Sequence, residues 1–217
     1  MNSSANHDTG ISPFRDEQVR ARERARKREA ILLTAVCMFN KHGFSRTSLD
    51  DVAAELGVTK PVVYNYLGNK DRVLLECLRI GLEQLVAAAE DVLSIRGTGA
   101  DRLRSYLLRY AEITMSEFGR CVIRTGDDLL SPASRVEFRR MKRLVDNKLR
   151  ELISAAAADE SLRVCNIRTT SFAIAGALNW PAQWYRETGP ETKRQIAEQI
   201  VDLLFSGLER SSTEKSG

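Results

Sequence analysis

Three glycine-bearing breaks, at Gly43, Gly57 and Gly68-Asn69, divide residues 43–69 into two helical segments of about two turns each. A helix shorter than ~12 residues does not persist alone in water, so each needs a neighbour to pack on. The preceding stretch supplies one. From roughly Glu17 to His42, Ile31, Ala35 and Phe39 recur at i, i+4 and i+8, with Leu32 and Val36 beside them, the stripe of an amphipathic helix. One longer helix supporting two short ones joined at Gly57 is the smallest scaffold that can hold a helix out toward a nucleic-acid groove.

Local chemistry fits that reading. Ser48 is a predicted N-cap, with Asp51 three residues on in capping-box spacing. Thr59 is the predicted cap of the second short helix, which runs to about Tyr66. Ala53 is small where the two helices would cross. Leu56, Val58 and Val63 are expected inside, leaving Thr59, Lys60, Val62, Tyr64 and Asn65 outside. That outward face carries no acid, which phosphate would repel.

Beyond Gly68-Asn69 the predicted helices lengthen: Lys70 to about Ile95, Ala100–Phe118, Arg120–Leu130, Pro132–Asp159, Ile167–Glu187 and Glu191–Leu208. Gly97-Thr98-Gly99, Gly189-Pro190 and a linker at Arg163–Ile167 separate them. Pro132 follows Ser131, in a first turn where its missing N–H does no harm. Five prolines and few glycines inside the patterned stretches favour helices over strands with frequent turns. The expected fold is therefore all-α, with about nine helices. Residues 17–69 form a helix-turn-helix unit and 70–210 a second helical domain, with disordered tails at 1–16 and 211–217.

Net charge is only +4, yet between Arg15 and Arg28 seven basic residues stand against three acids, the same surplus. A basic arm beside a small domain can meet phosphates, or simply be a solvated leader. Cys37, Cys77, Cys121 and Cys165 are far apart, each among apolar residues; they read as reduced, buried thiols of a cytoplasmic protein, with no zinc site. No apolar run reaches the ~20 residues of a membrane span, and the polar start MNSSANHDTG gives no expectation of a secretory signal. No Gly-rich phosphate loop, nucleophile elbow or His-based triad occurs, and the Asp127-Asp128 carboxylates would point apart on a helix. The chain is expected not to be an enzyme, and no cofactor or metal is expected.

From Ile31 to Leu74 the sequence resembles the tetracycline-repressor family of transcriptional regulators. The likeness is carried by Ala35, Phe39, Gly43-Phe44, Thr47-Ser48-Leu49, Val52-Ala53, Leu56-Gly57-Val58-Thr59-Lys60, Val63-Tyr64, Tyr66, Lys70-Asp71 and Leu74. The resemblance implies an all-helical homodimer on a palindromic operator in double-stranded DNA, with residues matching Thr47, Ser48, Thr59, Lys60, Tyr64, Tyr66 and Lys70 facing the DNA. Two positions depart from the family: Pro61 where a small residue is usual, and Leu67 where Phe is usual.

By chemistry, Ser48, Thr59 and Lys70 sit at helix starts that favour phosphate. Lys60 and Asn65 suit guanine and adenine edges, and Pro61 could meet a thymine methyl. Tyr64 is read as touching phosphate or a thymine methyl, or packing half-buried; Tyr66 is divided between DNA and core.

The C-terminal half is expected to dimerise and sense a small-molecule effector. Ala173, Gly176 and Ala177 allow close helix approach, and with Trp184, Ile196, Ile200, Leu204 and Leu208 they form the expected dimer surface. Candidate pocket residues are Tyr106, Tyr110, Phe118, Arg124, Phe138, Phe172, Asn179, Trp180 and Gln183. Asn179 and Gln183 are polar residues in an apolar helix, and Arg124 could hold an anion. The stretch from Gly176 to Arg186 resembles family members linked to lipid and acyl-coenzyme A metabolism, which implies such a ligand. Only His7 and His42 occur, both outside this half, so no His-anchored metal–ligand site is expected. The expected function is a repressor released from its operator by a ligand, acting in the cytoplasm on the nucleoid. A regulator or architectural factor without an effector is the alternative.

Overall fold

The computed structural model describes residues 13–206, with side chains from residue 17. Residues 13–16, expected in the N-terminal tail, form the first turn of α1; the rest of the expected tails lies outside the described residues, as does Leu208. Among the described residues the chain is all-α. The helices are α1 (Pro13–His42), α2 (Leu49–Glu55), α3 (Lys60–Leu67), α4 (Lys70–Asp91), α5 (Gly99–Thr114), α6 (Glu117–Arg124), α7 (Pro132–Ala158), α8 (Ile167–Asn179), α9 (Pro181–Trp184) and α10 (Lys193–Ser206). Nine have seven or more residues; α9 is a single turn.

Local capping explains the starts. Ser48 and Thr98 each close a reciprocal capping box, with Asp51 and Asp101. Thr59 occupies the N-cap of α3 but its side chain makes no cap hydrogen bond, contrary to expectation. Gly57 turns α2 into α3 at φ +65°, a left-handed conformation that a side chain would strain.

Three boundaries differ from the sequence reading. The Ala100–Phe118 expectation fails because Ser116, accepting from the Gly119 amide, starts a new helix. At that corner a Cβ on Gly119 would lie 1.8 Å from the Ile113 carbonyl oxygen, so α5 and α6 can meet this closely only through glycine. The Arg120–Leu130 expectation ends early, at Arg124; a loop with a 3-10 turn at Asp127–Leu129 follows. The Ile167–Glu187 expectation is cut at Pro181, which has no amide to continue the ladder.

Helix α4 is the spine. It packs against α5, α6 and α7 in the larger domain and against α1 and α3 in the smaller. Gly81 lets it approach α6: a Cβ there would stand 2.8 Å from the Phe118 carbonyl oxygen. One apolar core runs through both units, from Ile31 and Ala35 through Leu74 and Leu78 to Leu107, Phe138 and Ile153. Cys77 and Cys121 are buried in it, but Cys37 and Cys165 are exposed, correcting the expectation of four buried thiols.

Candidate nucleic-acid interface and ligand cavity

Helix α3 hangs on its support by Val63 and Leu67, both buried. Thr59, Lys60, Pro61, Tyr64 and Asn65 are exposed, and Tyr66 is half-buried. Tyr64 shows 47% of its surface, which answers the packing alternative in favour of an outward ring. Pro61 lies in the first turn of α3. Val58, expected inside, is 39% exposed because it sits on the turn itself.

The polar groups are held in place differently. Lys60 Nζ donates to Asp50 Oδ2 at 2.5 Å, which raises its already high pKa and anchors it beside α2. The Thr59 hydroxyl, making no cap bond, is available to an incoming oxygen. The Ser48 hydroxyl caps α2 by accepting from the Asp51 amide at 3.1 Å. Lys70 Nζ stands 4.2 Å above the Phe44 ring centroid, and partial burial pulls its pKa down. Thr47 corrects the sequence reading: it is 2% exposed, and its Oγ1 donates to the Gly43 carbonyl at 3.0 Å. The hydroxyl braces the α1–α2 corner and does not join the outward face.

In the larger domain a cavity of about 210 Å³ lies among α4, α5, α6, α7 and α8. Leu82, Leu85, Val122, Ile123, Val145, Leu149 and Ala175 make it mainly apolar; Tyr110, Asn179, Thr125, Lys142 and Asp146 add polar groups. The Tyr110 hydroxyl donates to Asn179 Oδ1 at 3.1 Å, and burial pushes its pKa up to about 12, so it stays a neutral donor.

Of the nine expected pocket residues, Tyr110 and Asn179 line this cavity. Tyr106 and Phe138 are fully buried in the core next to it; the Tyr106 hydroxyl has no partner among the described residues. The others do not converge there. Phe118 is half-buried and packs where α4 meets α6. Arg124 is exposed and bridges, donating to the Gln183 carbonyl at 3.0 Å, while the Gln183 side chain faces out. Phe172 and Trp180 are 56% and 67% exposed. Sequence reasoning sought aromatics; the lining is mainly aliphatic, and the helical spacing of Val145 and Leu149 on α7 is the same as that of core residues.

A joint that the sequence did not reveal links the cavity to the first turn of α4, which follows the reading helix. Thr125 of the cavity wall opens the loop to Ser131, which starts α7. The Ser131 amide donates to Asp71 Oδ1 at 2.7 Å, and the Ser131 and Ser134 hydroxyls donate to Oδ2 at 2.9 and 2.6 Å. Burial alone would raise the Asp71 pKa; these three bonds outweigh it and hold the carboxyl below its ordinary value. Asp71 is the neighbour of Lys70, at the foot of the DNA-facing unit. Asn40 adds a second tie, donating from Nδ2 to the Glu117 carbonyl at 2.8 Å.

On α8 and α10, Ala173 and Gly176 are exposed, as is Trp184 on α9; Ala177, Ile200 and Leu204 are half-covered. A Cβ on Gly176 would meet nothing within 4 Å, so this protomer does not itself need glycine there. Ile196 is 4% exposed and belongs to its own protomer's core, against the expectation that it faces a partner. Among the described residues no cluster of His, Cys, Asp or Glu could hold a metal ion, and no helix is long and apolar enough to cross a membrane.

Comparison with known proteins agrees with this geometry. The family described as "Bacterial regulatory proteins, tetR family" matches residues 31–77. "Tetracyclin repressor-like, C-terminal domain" matches residues 96–208, more than half of the chain. The chain belongs to the TetR family. It is thus a DNA-binding transcriptional regulator of helix-turn-helix type, not an enzyme. A TetR-family relative, the HTH-type transcriptional repressor KstR2 of Mycolicibacterium smegmatis, is 21% identical over 194 residues, covering 88% of this chain and 95% of its own. Among solved TetR-family structures, PfmR of Thermus thermophilus is 28% identical with TM-score 0.76, over 83% of this chain and 99% of that one. AibR, solved with isovaleryl coenzyme A and operator DNA, has TM-score 0.71 and 24% identity, over 82% and 97% of the two chains.

Proposed function

We propose that this TetR-family regulator is a repressor that binds a palindromic operator as a homodimer and is released when a slender, largely apolar ligand enters the α4–α8 cavity. Residues 17–69 read DNA and 70–210 sense and dimerise. The observation that carries the reading is the continuity of cavity wall, Thr125–Ser131 loop and Asp71 clasp, ending one residue from Lys70. A ligand that displaces the loop thereby moves the foot of the reading unit.

The cavity volume, about 210 Å³, is below the ~300–1,000 Å³ of sites that enclose a drug-sized ligand. A short acyl chain fits such a space with its polar head left outside, in keeping with what AibR binds. The exposed Gly176 and Trp184 support the dimer, which places two α3 helices about one turn of DNA apart. The protein would act in the cytoplasm, on the nucleoid.

The test uses duplex DNA selected from a random pool by the full-length protein. Its affinity is measured with acyl-coenzyme A thioesters of increasing chain length. A coupling of ~1–3 kcal/mol predicts a 5–150-fold loss of DNA affinity for short chains. Equal thioester affinity for free and DNA-bound protein would rule out release by this class. Mass spectrometry of small molecules carried through purification would then name another class.

A further inference from the structure

Helix α1 begins at Pro13, well before residue 31, where the match to the DNA-binding family starts. At about 1.5 Å per residue the extra turns add ~27 Å of helix. Every residue from 17 to 27 is exposed; the first buried one is Ile31. No side chain of this stretch is buried, so a core does not hold it, and its solvated face is free to meet a partner.

The charge on it is organised. Residues 17–27 hold five basic side chains and two acids. Arg20, Arg24 and Lys27 recur at i, i+4 and i+7 and so share one face. That face, with Glu23, lines a groove whose other wall is Asn65 and Tyr66 of α3. The Arg24 guanidinium carbon lies 5.9 Å from the Tyr66 ring centroid. One turn on, Arg28 is paired with Glu76 at 2.7 Å, whereas Arg20, Arg24 and Lys27 have no ion pair among the described residues. The basic stripe therefore continues the outward face of the reading helix.

We propose that the N-terminal extension of α1 is a second DNA-contacting element, its Arg20–Arg24–Lys27 face gripping the phosphate backbone beside the groove that α3 reads. The inference rests on the DNA-binding reading of α3 and extends the footprint beyond it. The occupant is duplex DNA because the stripe is cationic and contiguous with that face; Tyr66 sets the distance between stripe and reading helix. Contacts of this kind add affinity without sequence preference.

Each neutralised phosphate contributes ~0.9 to the slope of log affinity against log salt. Three contacts per protomer predict a slope lower by about 2.7 per protomer when Arg20, Arg24 and Lys27 are all replaced by alanine, itself a strong helix former. Full-length wild type, this triple variant, an Arg22→Ala/Arg26→Ala variant on the other face and Tyr64→Ala are compared by fluorescence anisotropy. Each is titrated on the selected duplex and on a scrambled one, from about 50 to 200 mM salt. The expected result is a slope at least two units lower per protomer, so at least four for the dimer, for the triple variant on both duplexes, with preference for the selected duplex kept and a smaller change for Arg22→Ala/Arg26→Ala. A smaller drop for the triple variant, or an equal drop for the opposite-face variant, overturns the inference and leaves the α3 reading standing. If wild type shows no preference for its selected duplex, the α3 reading fails, and this inference with it.

Discussion

Replacing Asp71 with alanine removes the clasp between the loop of the sensing cavity and the first turn of α4. Three donors lose their acceptor: the Ser131 amide, the Ser131 hydroxyl and the Ser134 hydroxyl. Ser134 is 8% exposed, so water does not readily replace the carboxylate. Its orphaned hydroxyl costs about 1–2 kcal/mol, the lower part of the usual range, because a first-turn serine can rotate toward a carbonyl of its own helix. Ser131 is exposed, and its two bonds contribute about 0.5 kcal/mol each after competition with solvent. The sum, about 2–3 kcal/mol, corresponds to a melting temperature about 4–12 °C lower for a chain of this size.

The pH dependence has a definite sign. The folded Asp71 carboxyl titrates below its ordinary value. Its stabilisation is therefore complete above the unfolded pKa, near 3.9, and is lost as pH falls through the lower folded value. Chemical denaturation of wild type and Asp71→Ala should show a constant gap from neutrality to about pH 4, narrowing below that. The same variant should bind DNA yet respond less to ligand. Equal stability at neutral pH, or a gap that fails to narrow in acid, would show that the clasp does not fasten the cavity loop to the first turn of α4.

Tyr64→Ala should weaken operator binding by about 1 kcal/mol per half-site, roughly 30-fold for the dimer, measured by anisotropy; full-strength binding would remove Tyr64 from the interface. Lys70→Ala should lower the salt slope by about one unit per protomer, on all sequences alike. Gly119→Ala should destabilise by more than ~3 kcal/mol, because its Cβ would lie 1.8 Å from the Ile113 carbonyl oxygen; a native-like melting curve would contradict the corner geometry. Gly176→Ala should leave the protomer as stable or about 0.5–1 kcal/mol more so, yet loosen the dimer in sedimentation. Ala175→Trp should fill the cavity and abolish ligand response with operator affinity kept; a retained response would place the ligand elsewhere.

What the sequence by itself determined is local. Gly43, Gly57 and Gly68 stand at positive φ where the chain must turn, and Ser48 and Thr98 announce helix starts through acids three residues on. Those rules act within a few residues, so the three-helix reading unit and the outward face of α3 were legible before any fold was known. Pro181 obeyed the same local rule, and its break in the α8 stretch was there to be read. Tertiary structure alone decided the rest. An aliphatic side chain at helical spacing looks the same whether it fills a core or lines a cavity, and so Leu82, Val122 and Leu149 were indistinguishable from packing. Thr47 was drawn inward by the Gly43 carbonyl, and Ile196 by its own protomer's core. The Asp71 clasp joins residues sixty positions apart; a contact that depends on how α4 and α7 cross leaves no periodicity along the chain.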